Sequence, residues 1–138
     1  MSAEQLVREA NDAFYAAVEA GDLDAMRSLW VPGAGTLCVH PAASPIHGTD
    51  SIVRSWALIM ANTAYIQFFL TDVQVSLRGG CALVTCTENI LTGDESLGID
   101  RFGGATGAAV NLFVLARDRW LLWSHVAVPV VSRNHDGQ

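Results

Sequence analysis

The sequence predicts an α+β fold in which three N-terminal helices pack on a curved, mixed but mostly antiparallel β-sheet. Three observations carry this expectation. Apolar residues recur at helical spacing only up to Met60, long runs rich in β-branched and aromatic residues follow, and glycine-bearing breaks separate those runs. With 138 residues the chain can bury one good core but does not divide comfortably into two domains, so residues 1–131 are read as one unit and residues 132–138 as a flexible tail.

Ser2 and Gln5 have capping-box spacing, and Leu6, Ala10, Ala13, Phe14, Ala17 and Val18 then share a helical face up to about Ala20. Gly21 suits the left-handed position after a helix, and Asp22 can cap a second one carrying Leu23, Met26, Leu29 and Trp30 on one side. Pro32, Gly33 and Gly35 break that pattern, and Thr36 to His40 reads as a short strand with Cys38 and His40 on one face. Pro41 to Gly48 reads as a loop, and Thr49 or Asp50 as the cap of a third helix bearing Ile52, Trp56, Ile59 and Met60.

Beyond Asn62 the pattern is sheet. Tyr65–Leu77 and Cys81–Leu91 form a hairpin about Gly79 and Gly80, which places Val75 opposite Val84, Val73 opposite Cys86, Thr71 opposite Glu88 and Phe69 opposite Ile90. Thr92–Gly104 reads as an acidic, glycine-rich connection, with Gly103, Gly104 and Gly107 between strands. Ala105–Ala116 and Trp120–Val131 make a second hairpin. With a two-residue turn at Asp118 and Arg119, Asn111 shares a face with Phe113, Leu122 and Ser124 and leaves His125 opposite; one extra turn residue reverses this.

Apolar residues make up 51% of the chain and charged residues only 16%, which excludes disorder and leaves little charge to cover the surface. A homodimer formed through the sheet is therefore expected. A net charge of −6 with scattered Lys and Arg argues against nucleic acid. The N-terminal residues lack a signal-peptide pattern and no apolar stretch approaches membrane-spanning length, so a cytoplasmic protein away from membranes is expected. Cys38, Cys81 and Cys86 lack metal-ligand spacing and read as reduced thiols.

Several segments carry a family resemblance: Gly21-Asp22-Leu23-Asp24-Ala25-Met26 with Leu29-Trp30, Cys38-Val39-His40-Pro41, Ile46-His47-Gly48 leading to Ser55-Trp56, Thr87-Glu88-Asn89, and Asn111-Leu112-Phe113 with Trp120. In this order they resemble the SnoaL-like (polyketide cyclase-like) branch of the nuclear transport factor 2-like superfamily, over nearly the whole chain. The resemblance implies a cystatin-like cone around an apolar pocket. That superfamily hosts isomerases, dehydratases, cyclases, epoxide hydrolases and pure binding modules, so fold does not decide function. The resemblance also makes Asn111 a buried polar position whose amide can donate to a substrate carbonyl or oxyanion, or else be a satisfied core asparagine.

Glu88 is the most informative single residue. On a face made of valines, Cys86 and Ile90, a carboxyl has its pKa raised towards the range useful for proton transfer; at the sheet rim it would instead be an ordinary surface acid bonded to Thr71 or an arginine. His40 at the pocket mouth can shuttle a proton or make a structural bond, and His47 fits a backbone contact better. Phe14, Trp30, Trp56, Phe113, Ser124 and His125 are the candidate ligand-binding residues, with the aromatic ones also readable as core. The histidines and Glu88 show no local metal-ligand spacing, so neither metal nor cofactor is expected. Two functions follow. One is a cofactor-independent acid–base isomerase, cyclase or dehydratase acting on a small hydrophobic molecule, with Glu88, His40 and Asn111 as its catalytic residues. The other is a non-catalytic ligand-binding or dimerisation module.

Overall fold

The computed structural model describes residues 1–93 and 102–130. In chain order it contains α1 (Ala3–Ala20), α2 (Leu23–Ser28), β1 (Leu37–Val39), β2 (Ile46–His47), α3 (Thr49–Asn62), β3 (Tyr65–Arg78), β4 (Cys81–Gly93), β5 (Phe102–Ala116) and β6 (Arg119–Pro129). The strands form one mixed sheet in the order β2-β1-β6-β5-β4-β3, with β1 parallel to β6 and every other pairing antiparallel. The expected tail, residues 132–138, and most of the expected connection after Thr92 lie outside the described residues.

The capping box at Ser2 and Gln5 forms, and Gly21 ends α1 in the left-handed conformation. The buried face of α1 is Val7, Asn11, Phe14, Tyr15, Ala17 and Val18, whereas Leu6 and Ala13 are exposed. The expected stripe is therefore rotated by about one residue, which brings Asn11 and Tyr15 inside. Helix α2 stops at Ser28, short of the expected Trp30, because β6 captures the chain there: Leu122 N–H donates to Leu29 O and Val31 N–H to Leu122 O. The segment expected to be only a loop includes β2, whose Ile46 and His47 pair with Cys38 and Leu37. Gly48, not Thr49 or Asp50, caps α3, and the Thr49 hydroxyl instead donates to Val31 O at 2.6 Å.

Both long hairpins depart from simple alternation. Gly79 and Gly80 form the first turn as expected, with Gly79 at φ +57°, and Leu77↔Ala82 and Val75↔Val84 pair as read. A bulge then intervenes between Thr71 and Gln74, where Asp72 adopts φ +54°. Past it the register moves by one, so Glu88 faces Leu70 and not Thr71, and Ile90 faces Phe68 and not Phe69. Ile66, Phe68 and Leu70 consequently join Val73 and Val75 against the core, while Phe69 and Thr71 turn outward.

In the second hairpin the turn is Arg117-Asp118, one position earlier than expected, because Ala116 pairs with Arg119. A second register shift pairs Phe113 with Leu122 but Leu112 with Ser124, which leaves Trp123 as the extra residue. Gly104 and Gly107 lie inside β5, not between strands. The core gathers between α1 and the inner sheet face and includes Phe14, Trp30, Trp56, Val84, Phe113 and Leu122.

Candidate active site

Strand β4 carries no bulge, so Ala82, Val84, Cys86 and Glu88 all point inward beneath α1. Glu88 is only 3% exposed. Its neighbour on β5 is Gly107, where an added Cβ would stand 3.0 Å from Val128 O and 3.7 Å from Glu88 Oε1. The missing side chain thus lets β6 approach closely at Val128, beside the carboxyl. From the opposite layer the Tyr15 hydroxyl donates to Glu88 Oε2 at 2.6 Å. Burial pushes the Glu88 pKa up from its ordinary value and the bond from Tyr15 pulls it partly back, with a net rise. Burial and the adjacent Glu88 charge raise the Tyr15 pKa, so the phenol stays a neutral donor.

The polar chain continues inward. Asn111 Nδ2 donates to the Tyr15 oxygen at 3.2 Å and to Asn11 Oδ1 at 2.8 Å. Asn111 Oδ1 lies 2.5 Å from His125 Nδ1. Asn111 is fully buried and His125 is 2% exposed. Burial is the main cause that lowers the His125 pKa to about 3, with His40 adding to it, so the ring is neutral at physiological pH. Phe14 packs tilted on His125 with ring centroids 4.9 Å apart, and Trp56 lies 6.0 Å away. Five polar side chains from α1, β4, β5 and β6 therefore form one hydrogen-bonded line through an apolar interior.

The expected site residues do not all come together. Glu88, Asn111, His125, Phe14, Phe113 and Trp56 are brought together in or around this line. Both Asn111 amide hydrogens are already engaged, as the satisfied-asparagine reading expects. Trp30 is buried in the core, with its indole N–H directed at Met26 Sδ at 3.4 Å. His40 stands apart from Glu88: its Nε2 bonds to Ser55 Oγ at 2.9 Å and its ring meets Trp56 edge-on at 4.7 Å. Burial lowers its pKa. Ser124 was expected beside Asn111, but the Trp123 bulge turns it to the opposite face and delivers His125 inward instead.

Asn11 and the Tyr15–Glu88 bond were not anticipated. The signal that could have found them is the helix stripe itself, because Asn11 and Tyr15 fall at the same spacing as Val7, Phe14 and Val18 once the phase is set by Val7. Among the described residues no group of three His, Cys, Asp or Glu side chains could hold a metal ion. No helix among them is long and apolar enough to cross a membrane. Burial raises the Cys38 thiol to about 12.

Comparison with known proteins agrees with this architecture. A family model for the SnoaL-like domain matches residues 7–132. A candidate dehydratase of the NTF2-like family from Streptomyces avermitilis is 48% identical, with a TM-score of 0.86, covering 93% of this chain and 97% of that one. A Thiobacillus denitrificans protein described as a candidate calcium/calmodulin-dependent protein kinase type II association domain is 25% identical, with a TM-score of 0.78 over 88% and 93% of the two chains. An NTF2-like superfamily protein from Salmonella enterica serovar Typhimurium shares the fold at 13% identity, with a TM-score of 0.84 over 97% and 95%. No curated protein matches the chain. By its family match over residues 7–132 and its 48% identity to that NTF2-like relative, the chain belongs to the SnoaL-like domain family of the NTF2-like superfamily.

Proposed function

We propose that this protein is a cofactor-independent acid–base enzyme that moves a proton next to a carbonyl in a small hydrophobic molecule, with dehydration of a β-hydroxy ketone as its reaction. The observation that carries the reading is the buried carboxyl of Glu88, held at one oxygen by Tyr15 and, among the described residues, given no hydrogen bond at the other. The 48% identity to a candidate dehydratase supports that reaction over isomerisation or cyclisation.

In this mechanism Oε2 stays bonded to Tyr15 while Oε1 takes the proton α to the carbonyl, and the C–H electrons become the new C=C bond. The departing hydroxyl then takes the same proton from Glu88, so that one water leaves and the carboxylate is restored. A raised carboxyl pKa suits a group that must both accept and return a proton near neutral pH. Phe14, Trp56 and Phe113 would supply the apolar wall. His40 and Ser124 have no part in this scheme.

The test uses a panel of β-hydroxy ketones with aromatic or alicyclic bodies and follows the rise of enone absorbance. Glu88→Gln should lower turnover on the order of 10²–10⁴-fold with little change in ligand affinity. An unchanged rate removes Glu88 from the chemistry. No turnover across the panel, with retained ligand binding, favours the non-catalytic binding module. The packing of Phe14 between Trp30, Trp56 and His125 is the observation on that side.

The proposal includes a cytoplasmic homodimer formed through the outer face of the sheet, where Leu83, Val110, Trp123 and Val128 are exposed. Light scattering at micromolar concentration should give twice the chain mass, and a monomer would contradict the dimer.

A further inference from the structure

Asn111 makes a choice for His125 that neither the fold nor the proposed reaction requires. Its two amide hydrogens are taken by Asn11 Oδ1 at 2.8 Å and the Tyr15 oxygen at 3.2 Å. That leaves its carbonyl oxygen to face His125 Nδ1 at 2.5 Å. A carbonyl oxygen can only accept, so the proton between them belongs to Nδ1. The Tyr15 bond adds a second constraint. Its O–H is given to Glu88, so its oxygen is free to accept from Asn111, and flipping the Asn111 amide would set its carbonyl against two acceptors, Asn11 Oδ1 and the phenolic oxygen.

We propose that Asn111, held by Asn11 and Tyr15, is a positioning residue that locks neutral His125 in the Nδ1–H tautomer, the form free histidine populates less in water. Nε2 then carries the lone pair and meets its surroundings only as an acceptor. The Asn11 orientation this requires leaves its buried Nδ2 without a partner among the described residues, a cost the arrangement carries. An Asn11 turned the other way would lose the acceptor that Asn111 needs.

The tautomer is read on the ligand-free protein, labelled with ¹⁵N at histidine, from long-range ¹H–¹⁵N correlations at pH 7. The expected result is a pyrrole-type Nδ1 and a pyridine-type Nε2 for His125. A protonated Nε2, or exchange-averaged nitrogens, overturns the proposal. Asn111→Asp keeps an acceptor and should keep the proton on Nδ1, whereas Asn111→Leu should move it to Nε2. A Leu variant that stays Nδ1–H would remove Asn111 from the role, and if that variant does not fold, the wild-type and Asp spectra decide.

Discussion

The two long hairpins carry one bulge each, with different consequences. In β3 the bulge at Asp72 swaps Thr71 and Phe69 for Leu70 and Phe68 on the inner face, an exchange that closes an apolar wall opposite Glu88. In β6 the extra residue Trp123 swaps Ser124 for His125, which exchanges one polar group for a larger one that the fold must then satisfy. The first bulge adds hydrophobic contact, and the second commits the core to the line from Asn111 to Glu88. Strand β4 lies between the two altered strands in the antiparallel ladder and keeps its alternation, so the direction of Glu88 does not depend on either bulge.

Asn111→Leu attacks the second of these most strongly. It leaves Asn11 Oδ1, the Tyr15 oxygen and His125 Nδ1 without their shared buried partner. The expected loss is about 4–5 kcal/mol, enough to abolish a cooperative thermal transition followed by circular dichroism.

The next effect is pH dependence, and it has opposite signs at the two ends of the polar line. His125 has its folded pKa lowered from 6.5 to about 3, so the unfolded chain binds the extra proton first as pH falls. Stability should drop through that window by about 4 kcal/mol at most, and His125→Gln, which can still donate to Asn111, should flatten the drop in urea midpoints measured from pH 7 to pH 3. Glu88 has its folded pKa raised, so the folded state keeps its proton longer and stability should decline as pH rises above 4.5. Glu88→Gln should remove that decline.

Tyr15→Phe removes the donor to Glu88 and an acceptor of Asn111. A cost of about 1–3 kcal/mol is expected, with the Glu88 pKa rising further because the bond that opposes desolvation is gone. The smallest effect belongs to the β3 bulge. Asp72 sits at φ +54° and is exposed, so Asp72→Gly should be neutral or stabilise by up to about 1 kcal/mol in the same urea experiment, while Asp72→Val should destabilise.

All the elements but β2, their order and the apolar face that carries Glu88 were legible in the sequence because helical period, turn glycines and strand alternation are local signals. Partners across the sheet were legible only in the first hairpin, as far as its bulge; in the second the turn, one position earlier than expected, displaced them from the start. A bulge leaves no composition mark of its own: nothing in Leu70-Thr71-Asp72-Val73 or in Trp123-Ser124-His125 fixes which residue goes unpaired, and long-range packing settles it. Asn11 was hidden for a related reason. A polar residue in an amphipathic helix reads as solvent-facing until a partner on another strand, here Asn111, is known to wait for it.

The most direct test of the account is the titration of the Glu88 carboxyl, followed by ¹³C NMR with Glu88→Gln to assign the signal. The account predicts a midpoint above the ordinary value of 4.5, shifting further upward in Tyr15→Phe. A midpoint at or below 4.5, alongside the exposed carboxylates and insensitive to Tyr15, would contradict it.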